Sequence, residues 1–214
     1  LPRAFRHPSV LLAHNLFLRI SDIDNYSQDI SVVLNGSVHK YGEIRVGTLL
    51  VGYFSACKAL LDAAAISLST LYSLTFTDKK GERPLRLKQR DFSKTYFRKA
   101  LEKDIALKNR FEKFKLVSDD VVSWRDVAVH RVPTLVVQRP NATKHMEIKM
   151  AVKPEADMLY FMNSQDDKDW MDPLDLHRKW RPLFIELCEE VCRDIRTTVI
   201  SSSILNRKKA YTSA

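Results

Sequence analysis

IRVGTLLVGYFSACKALLDAAAISLSTLYSLTF, residues 44–76, is the stretch whose reading decides the fold class. It is rich in Leu and Ala, and from Leu49 to Phe76 only Lys58 and Asp62 are charged. By length it could cross a bilayer. The two charges in mid-segment, with Ser55, Ser67, Ser69 and Thr70, favour instead the central buried helix of a bundle. The sequence therefore predicts no membrane association.

Outward from that helix, the flanking segments also read as helical. Residues 8–34 open with Pro8 and carry Leu12, Leu16, Ile20 and Ile23 at helical spacing. Asn35-Gly36 and Gly42 break the chain before the central helix, and the polar turn 78–84 follows it. Residues 91–114 predict a basic helix with Phe92, Tyr96, Leu101, Ile105, Phe111 and Phe114 along one stripe. A shorter helix is expected from about Ser118 to Arg131, with Asp119 and Asp120 suiting its dipole. The period then changes. Residues 134–139 and 146–152 read as two strands of a hairpin around Pro140-Asn141. An acidic loop, 153–172, leads to a last long helix over 173–203, with a kink or late start expected at Pro182. Residues 204–214 are expected to form a mobile tail. The expected fold is mainly α: a four- to five-helix up-and-down bundle in one domain over 1–214, with a β-hairpin inserted before the last long helix. The chain opens on Leu1, so a preceding segment, or a place in a longer polypeptide, stays open.

Composition narrows the chemistry. Five Gly in 214 residues argue against a many-turned β fold and a glycine-rich phosphate loop. Three Cys, in no paired signature, fit a reducing, cytoplasmic compartment. Cys188 and Cys192 stand four apart, but no His or carboxylate set completes a zinc site, so neither metal nor cofactor is expected. No P-loop, G-x-S-x-G or H-E-x-x-H occurs. The net charge of +9 is concentrated: from Lys79 to Lys115, 14 Lys and Arg stand against 5 Asp and Glu. A localised basic face is the footprint of a polyanion partner, or simply a solvated helix. Lys94, Arg98 and Lys99, interleaved with Tyr96 and Phe97, are its candidate nucleic-acid contacts, with Arg131 beyond it.

The chemistry-bearing segment is Trp124-Arg125-Asp126-Val127-Ala128-Val129-His130-Arg131. Arg125 and His130 lie about 140° apart around a helix axis, but a long Arg side chain can converge with His130 on one ligand. Asp126 and His130, four apart, share a face, where a carboxylate can orient an imidazole. Cleavage of an RNA phosphodiester needs a base for the 2′-hydroxyl, a cation for the charged transition state and an acid for the leaving oxygen. Histidine and arginine supply these without metal. Arg139 and His145 form a looser pair that Pro140 and Asn141 place in a turn. Trp124 could stack on a base or anchor the core. Asp62, a carboxylate on an apolar helix, requires a partner, and Lys58 is one candidate.

The Arg-polar-x3-His pattern of Arg125–His130 near the end of a helical bundle resembles the HEPN domain family (higher eukaryote and prokaryote nucleotide-binding). Residues 58–65, on the long second helix, are similar to the helix that backs this motif in several branches. The resemblance implies a metal-independent ribonuclease of a toxin or phage-defence system, acting on RNA as a homodimer. It implies Arg125 and His130 as catalytic residues, Asp126 as the polar helper, Asp62 as a supporting residue across the bundle, and an antitoxin or regulatory protein as candidate partner. Val132 stands where one branch carries a Tyr, and the hairpin at 134–152 is additional to the minimal bundle. The alternative expectation is a non-catalytic helical module that binds nucleic acid or protein.

Overall fold

A computed structural model describes residues 8–36, 41–72, 101–102, 104–130, 136–140, 145–154 and 166–212, with backbone alone at 8–9, 130 and 200–212. The protein is mainly α-helical, with five α-helices among the described residues and a small antiparallel sheet before the last long helix. The helices are α1 (Pro8–Asn35), α2 (Gly42–Leu71), α3 (Ile105–Phe111), α4 (Phe114–His130) and α5 (Asp175–Thr212). The strands are β1 (Val136–Pro140), β2 (Met146–Ala151) and β3 (Trp170–Met171), in the order β1-β2-β3.

The chain forms two compact units, and the long helices contribute residues to both. The first comprises residues 1–18, 60–115 and 184–214. Its buried side chains recur at three- and four-residue steps, as a helix face requires: Leu60, Leu61, Ala64 and Leu68 on α2, and Phe184, Leu187, Val191 and Ile195 on α5. Phe111 and Phe114 are buried with ring centroids 6.0 Å apart.

The second unit comprises residues 19–59 and 116–183. Tyr53 stacks on Trp180 at 6.4 Å, and Phe54 stacks on Trp124 at 5.7 Å while meeting Trp180 edge-on at 6.1 Å. These rings tie α2, α4 and the start of α5 together. Offset and edge-to-face ring pairs contribute beyond the area they bury. Gly52 is required here: a Cβ at this position would lie 2.3 Å from Cε1 of Tyr26, so α1 and α2 approach across a bare backbone. α2 is long and apolar enough to cross a membrane. Within this fold Val46, Leu50, Tyr53, Phe54, Leu60, Leu61 and Leu68 of α2 are buried.

Four boundaries differ from the sequence expectation. The basic helix expected over 91–114 is interrupted: Leu101 is helical, Glu102 lies in a turn, and α3 starts afresh at Ile105. Asp104 caps it, its carboxylate accepting from the Leu107 N–H at 3.0 Å. Its residues 91–100 lie outside the described residues. A turn at Glu112–Lys113 ends α3, so α4 starts at Phe114 rather than Ser118. The hairpin becomes a three-stranded sheet, because Trp170 pairs with Ala151 and Met171 with Met150. Two residues carry no readable alternation, so only the contact reveals this strand.

The fourth difference is α5, which starts at Asp175 and runs through Pro182. Asp172 turns the chain into it, its carboxylate accepting from the Leu174 N–H at 2.8 Å. Proline removes the donor for the Arg178 carbonyl, and both residues are exposed, so water can take its place. The α5 backbone continues to Thr212, through the residues expected as a tail.

Candidate functional site

α4 has one face in the core and one in water. Val117, Val121 and Trp124 point inward, and Trp124 is 3% exposed against the Phe54 ring. Trp124 is therefore a core anchor, and a base cannot stack on it. Arg125 follows on the flank of the helix, with its side chain 36% exposed. Its Nη1 donates to Oδ1 of Asp126 at 3.0 Å. The exposed Asp126 thus holds the guanidinium; its expected contact with His130 lies outside the described residues. His130 ends α4 as a backbone position, and its side chain lies outside the described residues.

The other expected residues scatter. Arg131, Lys94, Arg98 and Lys99 lie outside the described residues. Asp62 is half-buried on α2 and belongs to the first unit, whereas Arg125 and Asp126 belong to the second. At the described end of the basic segment, Arg110, Lys113 and Lys115 each have an acid nearby. Arg110 donates through Nη2 to Glu190 at 2.7 Å and to Asp194 at 3.0 Å. Lys113 pairs with Glu186, and Lys115 lies 3.7 Å from Glu112. Tyr72 closes this network by donating to the other oxygen of Asp194 at 2.7 Å. Burial opposes the charge on Arg110, but the hydrogen bonds to Glu190 and Asp194 outweigh it and raise its pKa. Glu190 moves the opposite way, lowered chiefly by Arg110. The network is a clamp between α3, the end of α2 and α5.

A polar cluster that sequence reasoning missed lies in the second unit. Arg181 grips Asp24 with two hydrogen bonds, Nε at 2.8 Å and Nη2 at 2.9 Å. The hydrogen bond from Arg181 holds the Asp24 carboxyl below its ordinary value against partial burial. Nε2 of His177 is 3.9 Å from the same carboxylate, while its Nδ1 is sealed with no hydrogen-bond partner among the described residues. Burial lowers the His177 pKa, Asp24 opposes the shift, and Arg181 and Arg178 reinforce it. The Tyr53 ring meets His177 edge-on at 5.9 Å, and its buried hydroxyl lies near the Cys57 thiol and feels the Asp24 charge. Burial raises the pKa of both groups. Sequence distance hides this cluster: Asp24 and Arg181 are on different helices, and no spacing rule links them. With Tyr53 and Cys57 buried, it is a structural knot rather than an open site.

Among the described residues, no group of three or more His, Cys, Asp and Glu is disposed to hold a metal ion. Cys57, Cys188 and Cys192 are free thiols. Comparison of the chain with family models, curated proteins and solved structures yields no match.

Proposed function

We propose that the protein is a metal-independent endoribonuclease of HEPN type, with Arg125 and His130 as its catalytic residues. The observation that carries this reading is the Arg125 guanidinium, held at the surface by Asp126 on the helix that ends at His130. Among the described residues one of its five donors is engaged, by Asp126, and the planar fork suits a phosphate. In this reading His130 takes the proton of a 2′-hydroxyl as that oxygen attacks phosphorus. The bond to the 5′-oxygen breaks, and the imidazolium of a second motif in a homodimer protonates the leaving oxygen. Arg125 stabilises the charge that grows on the non-bridging oxygens. The products are a 2′,3′-cyclic phosphate and a 5′-hydroxyl. A toxin or defence role, with an antitoxin as partner, fits such an activity.

The test is incubation of the purified protein with mixed RNA in EDTA, beside His130→Ala. Cleavage by the wild type alone, with cyclic-phosphate ends, is expected. Equal cleavage by the variant would overturn the assignment of His130.

A second reading is a non-catalytic interaction module. It is favoured by the pairing of Arg125 with an acid and of Arg110 and Lys113 with acids of α5, which leaves these cations partly neutralised. Absence of cleavage by the wild type and the variant alike is its expected outcome.

A further inference from the structure

The first turns of α1 are unusually apolar where they meet water. Val10, Leu11, Phe17 and Leu18 are 37%, 51%, 76% and 50% exposed, and of residues 10–18 only Leu16 is buried. At about 100° per residue, positions 10, 11, 14, 17 and 18 fall within roughly one third of the helix circumference. They form one stripe with His14 at its middle. No Asp, Glu, Lys or Arg occurs from Pro8 to Leu18, in a chain where 29% of residues are charged. Arg19, which bounds the stripe, is paired with Asp22 at 3.3 Å. Farther along, the same face turns polar at Ser21 and Asn25, both exposed.

We propose that this stripe is the apolar centre of a two-fold interface between two copies of the chain. The inference supplies a surface for the homodimer of the proposed function and rests on that reading for its role. Two features select a second copy as the occupant. The first is charge: an apolar stripe without Asp, Glu, Lys or Arg has no fixed charge to offer an acidic or basic partner and matches a surface of the same kind. The second is spacing. The exposed residues are symmetric about position 14, so antiparallel α1 helices set Val10 opposite the second copy's Leu18 and Leu11 opposite its Phe17. The two His14 residues meet at the axis. A contact that maps onto itself under a two-fold rotation is what an isologous dimer requires. Apolar patches of this kind on soluble proteins mark association sites.

The test is sedimentation equilibrium of the full chain at micromolar concentration. The wild type is expected at twice the chain mass. Leu11→Asp combined with Phe17→Asp is expected to weaken self-association at least about a hundredfold, because each copy would bury unpaired carboxylates. Helical circular dichroism should be unchanged, since both positions are exposed. A second variant, Val10→Cys with Leu18→Cys, tests the register. These positions are about 12 Å apart along one helix, so a disulfide joining them must connect two copies. Oxidation is expected to yield a covalent dimer that the wild type does not form. A monomeric wild type, or a dimer indifferent to the two aspartates, overturns the proposal. So does a monomer that binds phosphatidylcholine vesicles through the stripe. Cleavage without dimerisation would sink the interface and the two-motif step while sparing the metal-independent cleavage itself; dimerisation without cleavage would sink the ribonuclease reading and spare the interface.

Discussion

In the proposed ribonuclease reading the chemistry turns on Arg125, and its environment makes its replacement informative. Its guanidinium is already oriented by Asp126, so Arg125→Lys keeps the charge and loses the planar fork. Cleavage by Arg125→Lys is expected to fall about a hundredfold, and by Arg125→Ala further, toward a thousandfold. Single-turnover rates with RNA measure both, and an unaltered rate in either would remove Arg125 from the site. Gly52 carries a different kind of information. Gly52→Ala drives a methyl into the Tyr26 ring, with an expected cost of about 1–3 kcal/mol of stability as an overpacking substitution. The same change in a Tyr26→Ala background should cost far less. Urea denaturation of the two pairs of proteins checks this coupling.

At the scale of elements, α3 is held by charge as well as by its apolar face. Arg110 spans Glu190 and the buried Asp194, and Tyr72 completes the set from the end of α2. Arg110→Met removes the cation and strands Asp194. About 2 kcal/mol of stability should be lost, less than for a fully buried pair because the guanidinium is a third exposed. Tyr72→Phe removes one hydrogen bond to a charged acceptor and should cost about 1.5 kcal/mol. Chemical denaturation reads both, and a cost of zero for Arg110→Met would show that the acids are served by water instead.

The elements also show where sequence patterns suffice. α1, α2 and the hairpin strands were legible because repeated apolar positions record which face is buried. The third strand was not, because its two residues become a strand only through pairing with β2. The break at Glu112–Lys113 was hidden for a related reason: Phe111 and Phe114 keep helical spacing on both sides of it, so the stripe reads as unbroken.

For the whole molecule, pH dependence follows from two groups of the second unit whose pKa values are both lowered by folding. His177 is lowered chiefly by burial. The unfolded chain therefore takes up a proton near pH 6.5 while the folded protein does not, and stability falls as pH drops below that value, by at most about 1.4 kcal/mol per unit. The fall ends at the lower folded pKa. Asp24, lowered by Arg181, adds a separate loss that begins only as pH falls below about 4. Thermal melts from pH 7.5 to 3.5 should show the first decline above pH 4, and His177→Gln should flatten it while leaving the acid limb. A His177→Gln profile superimposable on that of the wild type would contradict the burial argument.

The amino-acid sequence by itself determined the fold class and most of its helices, because burial of one face imposes a period that survives without coordinates. It also determined the candidate pair of Arg125 and His130, since their residue types and spacing belong to a single short helix. Only the tertiary structure decided that Trp124 is sealed against Phe54, that Asp126 serves Arg125, and that Arg110 and Lys113 are paired with acids of α5. The same is true of Asp24, Arg181 and His177. Contacts between residues far apart in the chain depend on which helix faces meet, and a one-dimensional pattern records that a face is buried but not what it is buried against.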